Sequence, residues 1–209
     1  MKTKLQIITF YLLAVVLGGC VPSLHPLFTE NERIFDANLV GIWSADSNEI
    51  WEFKPSGKGY ECIYIDKDGK SGRFNTGLGK LQNNMFLDIF PGELKLTEND
   101  FYKIHFVPAH TFMRVNLTKD SLELRVMNPD GLNKLLKSEP NSIKYESPEN
   151  GSVVLTASTK ELQDFMLKYG IDEKYEIFGK VNQADKMHRI KAGEPNDVND
   201  KQLKNTTQK

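Results

Sequence analysis

Four histidines, two cysteines and scattered carboxylates are the groups in this chain with reactive side-chain chemistry. His105 and His110 are five positions apart across Pro108, which is neither the i, i+4 spacing of one helical face nor the i, i+2 spacing of one strand face. A shared metal would need loop geometry, and ordinary surface or loop histidines, His25 and His188 included, are the expectation. Asp66-Lys67-Asp68-Gly69 opens like a calcium loop but lacks the third acidic position before the glycine and a distant glutamate in register. Asp-Gly between two strand-like runs is instead a hairpin signal. No G-x-S-x-G, H-E-x-x-H or glycine-rich phosphate loop occurs. Cys62 lies in the apolar run Tyr60–Ile65, where burial would raise its pKa and weaken it as a nucleophile. No catalytic residue, metal or cofactor is expected. An enzyme would need a cleft in which His105 or His110 meets a carboxylate of perturbed pKa.

Cys20 has a more telling setting. Lys2 and Lys4 form a short basic start, Leu5–Leu17 is an almost unbroken apolar run, and Gly18 and Gly19 lead into the cysteine. That is the layout of a secretory signal cut between Gly19 and Cys20, because the run is too short to span a bilayer comfortably. Leu17-Gly18-Gly19-Cys20 resembles the lipobox of bacterial lipoproteins. The resemblance implies that residues 1–19 are a signal peptide, that Cys20 becomes the lipidated first residue, and that the domain is anchored to a membrane of the bacterial cell envelope. Each buried acyl CH₂ contributes about 0.8 kcal/mol, so several chains hold durably where one holds weakly. Val21 and Pro22, with no Asp beside the cysteine, favour the outer membrane by the sorting pattern of enterobacterial lipoproteins.

Composition bounds the remainder. Without residues 1–19 the chain has 190 residues, enough for one domain with tails. Loss of Lys2 and Lys4 takes the formal charge from −1 to −3, and a mildly acidic chain gives no reason to expect nucleic acid. If the Cys20 sulfur is consumed in a thioether, Cys62 has no partner for a disulfide.

The elements that must position any site follow from periodicity. Residues 20–38 read as a leader, with Pro22 and Pro26 against regular structure and Leu24, Leu27 and Phe28 available to pack along the domain wall; residues 21–26 read equally well as a loose tether. From Leu39 the chain reads as short strands: Val40–Ser44, Glu49–Lys54, Gly59–Ile65, Arg73–Lys80, Met85–Phe90, Thr111–Leu117, Ser121–Met127, Ile143–Glu146 and Val153–Ala157. Their separators are turn-forming, so an antiparallel meander is expected. Pro91–Pro108 has no clean period and reads as a long functional loop or as a further strand near Tyr102–Val107. Asp130–Lys137 suits a short helix. Ser158 and Glu161 form a capping box for a second, over residues 159–169, whose stripe Leu162, Phe165, Met166 and Tyr169 should face the core before Gly170 stops it. Tyr175–Val181 could be a last extended segment. Residues 182–209 are polar enough to read as a disordered tail, leaving 39–181 as the folded domain.

Gly41-Ile42-Trp43, opening the first strand, resembles the G-x-W signature of lipocalin-like barrels. The resemblance implies a mainly β fold, an antiparallel meander barrel or strongly curved sheet with one C-terminal helix packed outside. It also implies that Gly41 and Trp43 form the barrel floor, often against an arginine from a late strand, for which Arg125 and Arg114 are the candidates. Trp43 is equally explained as a core aromatic. An eight-stranded barrel holds either side chains or one small ligand. If open, its lining would include Trp51, Phe53, Tyr60, Tyr64, Phe112 and Arg114; if filled, the same residues are its core. Two functions follow. One is a binding module for a small apolar ligand or a sensor of envelope components. The other is a structural or regulatory envelope protein with a filled barrel, working through contacts with another protein and an exposed apolar patch such as the Pro91–Pro108 region.

Overall fold

In the computed structural model, the structure describes residues 19–45, 49–93, 97, 99–148, 152–180 and 185–190. Of the expected signal, residues 1–19, only Gly19 lies among them. Eight strands close an antiparallel barrel: β1 (Gly41–Ser44), β2 (Ile50–Ser56), β3 (Gly59–Ile65), β4 (Ser71–Leu81), β5 (Asn84–Pro91), β6 (Thr111–Leu117), β7 (Ser121–Val126) and β10 (Asp185–Arg189). Each of β1 to β7 pairs with its neighbour in sequence, and β10 closes the ring between β7 and β1. Closure satisfies the edges that an open sheet would leave unpaired. A two-stranded pair, β8 (Tyr145–Glu146) and β9 (Val154–Leu155), stands apart from the barrel. The mainly β barrel with a C-terminal helix outside it is the architecture that the sequence leads one to expect.

Period-two alternation divides the apolar residues among an inner core, a large outer one and a small cluster of Ile50, Ile63 and Ile65. Cys62, Leu78, Leu87, Met113, Leu122 and Met187 join Trp43 and Phe53 in the cluster inside the barrel. Phe86 and Phe112, on the opposite face of β5 and β6, belong to a second cluster outside it. That outer core is covered by α2 (Pro129–Ser138) and by α3 (Thr159–Phe165), which continues as a π-helical turn through Met166–Gly170. Asn128 caps α2, and Leu132, Leu135 and Leu136 are its buried stripe. The Ser158–Glu161 capping box is formed, and Leu162, Phe165, Met166 and Tyr169 face the outer core as their spacing requires.

The leader is bound to the wall throughout, residues 21–26 included. Ser23 exchanges backbone hydrogen bonds with His110 at 2.9 and 2.8 Å, and Leu24 N–H donates to Leu155 O at 2.9 Å. Phe28 lies flat on Gly79 of β4, where a Cβ would sit 2.5 Å from its ring. Only glycine lets the leader come that close.

Three expectations need correction. The folded domain does not stop at residue 181, since β10 lies inside the stretch read as tail. A polar average over a long segment conceals a five-residue strand whose stability comes from pairing on both sides, with Met187 buried between its neighbours. Residues 191–209 lie outside the described residues. Tyr102–Val107 is not a strand: β5 pairs directly with β6, leaving no position between them, and the segment forms a helical turn, α1 (Asp100–Lys103), capped by Asn99. Nor is the described part of the expected segment Tyr175–Val181, residues 175–180, extended; Val181 lies outside the described residues. A 3-10 turn at Glu173–Tyr175 is followed by Glu176 with φ +52°, which turns Ile177 and Phe178 into the outer core.

Candidate functional site

One end of the barrel is shut by a basic residue stacked on an indole. The Arg189 guanidinium lies 4.3 Å from the Trp43 ring centroid, a cation–π contact. Its Nη1 donates to Val40 O at 2.6 Å, its Nε to Lys119 O at 3.0 Å, and its Nη2 to Asn38 O. Trp43 Nε1 donates to Leu39 O at 2.9 Å. Gly41 has φ +131°, which favours glycine, and a Cβ there would meet Arg189 Nη1 at 2.5 Å and displace the guanidinium. Tyr60 pins the turn below: its hydroxyl accepts from Asp36 N–H at 2.7 Å and donates to Asp36 O at 3.1 Å. Gly41 and Trp43 thus sit at the floor. The arginine that joins them is Arg189, not Arg125 or Arg114, and it was hidden in the stretch read as tail. The signal was present, because the resemblance asks for an arginine on a late strand and Arg189 stands on the last.

Above the floor the interior is filled. Trp43, Phe53, Cys62, Leu78, Leu87, Leu122 and Met187 are each 0% exposed, and Tyr60 1%. A void able to hold even one water would leave accessible surface on its lining, so these side chains border no ligand-sized space. Burial pushes the Cys62 thiol far up, with Glu52 and Glu61 adding to the effect, and so makes the thiol inert. Beside this core, Trp51, which pairs directly with Trp43 across β1 and β2, is half-buried, as are Tyr64 and Phe74. Trp51 and Tyr64 have ring centroids 4.5 Å apart, and Tyr64 hydroxyl donates to Glu49 Oε1 at 3.0 Å.

The six expected lining residues therefore separate into three groups. Phe53 and Tyr60 are core, Trp51 and Tyr64 are half-buried beside it, and Phe112 and Arg114 do not face the interior. In the run His110–Leu117 the face of Thr111, Met113 and Val115 is the inner one, which sends Phe112 into the outer core. Arg114 and its cross-strand partner Arg125 share one carboxylate. Glu173 Oε1 accepts from Arg114 Nη1 at 2.7 Å and from Arg125 Nη2 at 2.9 Å, and Oε2 from Arg125 Nη1 at 2.8 Å. Hydrogen bonding to Arg125 foremost holds the Glu173 carboxyl below the usual carboxylate range. The cluster fastens the 3-10 turn to the barrel wall and offsets two like charges placed opposite each other.

Two further features lie outside the barrel. Asp88, 2% exposed, accepts from Leu27 N–H through Oδ2 at 2.7 Å and faces His110 Nδ1 through Oδ1 at 2.6 Å. This pair clamps the leader. A surface cleft of about 1130 Å³ runs between Glu139–Glu146 and α3. Several of its charges are paired within the protein: Lys144 pairs with Glu161 at 2.7 Å, and Tyr169 hydroxyl donates to Glu139. Among the described residues, no three His, Cys, Asp or Glu side chains gather as a metal site would require.

The remaining feature is apolar and open. Phe101, Tyr102, Ile104, Phe106 and Val107 are 76, 51, 69, 47 and 70% exposed in the segment joining β5 to β6. No family model, no curated protein and no solved structure matches the chain.

Proposed function

We propose that this protein is a bacterial envelope domain, held to the membrane through a lipidated Cys20, that acts through its outer surface and not as a carrier of an apolar ligand inside the barrel. The supporting observation is the filled interior: eight inward side chains at 0–1% exposure leave no water-accessible lining between floor and mid-barrel. An eight-stranded barrel is narrow enough for side chains alone to fill it. The anchor is supported by Lys2, Lys4, the Leu5–Leu17 run and Leu17-Gly18-Gly19-Cys20, which together fit a lipoprotein signal. The residues after the cysteine favour the outer membrane. Surface action is supported by the large side chains left open between β5 and β6, a patch of the kind that marks interaction sites.

The test is native mass spectrometry of protein produced from the full chain in a bacterium, extracted gently and compared with its denatured mass, before and after incubation with envelope lipid extract. A mass with no non-covalent adduct in both states is the expected result. A reproducible adduct abolished by Trp51→Ala would establish a ligand beside Trp51 and overturn the proposal. The denatured mass reads the anchor separately, as acyl chains on a first residue Cys20.

A further inference from the structure

We propose that the Phe101–Val107 segment is a second membrane contact, dipping into the interfacial layer of the bilayer that holds the anchor. The inference rests on the lipid anchoring proposed above and adds the surface that faces the lipid.

Five of these seven residues are large and apolar, and all five are about half exposed or more. Among the described residues, only Leu24 and Phe35 are other large hydrophobics so open, at 45 and 55%. Single exposed apolar residues are ordinary, but five within seven positions form a patch. Local structure holds them outward. Asn99 caps the helical turn, and His105 Nδ1 lies 2.8 Å from Phe101 O. Phe101 packs edge-on against His105, and Tyr102 against Phe106, each pair with ring centroids 5.2 Å apart. The rings thus stack on each other and leave their outer faces to solvent. Phe, Tyr, Ile and Val beside Lys103 and His105 match the make-up of interfacial segments, where apolar side chains enter the acyl boundary and polar tips stay among headgroups.

Position selects the occupant. The segment leaves β5 at Pro91 and enters β6 at Thr111, so in an up-and-down barrel it lies at the end where β7 finishes at Val126. Gly19, the first described residue, borders a cleft with Val126, Met127, Asn128 and Pro129 at that same end. Ser23 pairs with His110, three residues after Val107, and the exposed Leu24 follows it. The chain therefore reaches Cys20 from the barrel end that carries the patch. An anchored domain held by a few residues presents that end to the lipid. A protein partner is the competing occupant of such a patch, and the test separates the two.

Phe106→Trp and Phe101→Trp, each made in the full chain and processed in a bacterium, are reconstituted or mixed with phosphatidylethanolamine–phosphatidylglycerol vesicles containing brominated acyl chains. Asn83→Trp, in the β4–β5 turn at the opposite end, is the control, and the parent protein gives the background of Trp43 and Trp51. Emission from the two loop variants is expected to fall severalfold more than that of the control. Intact loop emission in protein whose measured mass shows acylated Cys20 would overturn the loop proposal and leave the anchor standing. Quenching in protein whose Cys20 is unmodified would uphold the loop and refute the anchor. Emission unaffected by brominated lipid but blue-shifted in native membranes would assign the patch to a protein partner, which also overturns the proposal.

Discussion

The two ends of the barrel use aromatic residues in opposite ways. At the closed end, Trp43 is 0% exposed beneath Arg189 and Tyr60 is 1% exposed with its hydroxyl bonded twice to Asp36. At the other end, in the loop that joins β5 to β6, Phe101 is 76% and Tyr102 51% exposed. Burial of an aromatic side chain stabilises a fold by several kcal/mol, so residues left open contribute little to stability. The buried aromatics of the closed end thus contribute to stability, and those of the β5–β6 loop leave surface available for contact.

Substitutions should separate the ends by size of effect. Trp43→Ala should cost the most, about 3–5 kcal/mol for the cavity alone, since it also strips Arg189 of its stacking partner. Urea unfolding reads this as a fall in midpoint at unchanged slope, and a loss below about 1 kcal/mol would mean the floor is not closed as described. Gly79→Ala should follow at about 1–3 kcal/mol, because Phe28 must leave the wall. Faster proteolysis within residues 20–38 would accompany it.

Smaller effects belong to the outer wall and the open end. Glu173 is nearly half exposed, so its ion pairs contribute no more than about 1 kcal/mol after solvent screening. Its folded pKa is lowered, so that contribution is present above the unfolded carboxyl value and lost as pH falls through the lower folded value. Glu173→Gln should flatten the acid limb of the stability profile by that amount. Smallest of all, Phe106→Ala should change stability by less than about 0.5 kcal/mol while weakening vesicle association. Equal effects of Trp43→Ala and Phe106→Ala would erase the distinction between the ends.

Legibility in the sequence followed the same division. Strands with strict alternation and tight turns were readable because each residue's facing is set locally, as in β6 and β7, and α3 announced itself through Ser158 and Glu161. Which face of β6 turns inward was not readable, since both carry large side chains and the choice depends on helices that cover Phe112 from outside. β10 escaped because its stability is supplied by β1 and β7, and Arg189 was lost with it. The turn at Asp100–Lys103 was missed because five large apolar residues suggest burial, whereas here they remain exposed.

The most direct measurement is a titration of the Trp51→Phe protein with a long-chain fatty acid, followed by the emission of Trp43, which is then the only tryptophan. With a filled barrel, Trp43 emission stays unchanged to saturating concentrations. A saturable one-to-one change would place a ligand inside the barrel and contradict the surface-acting role.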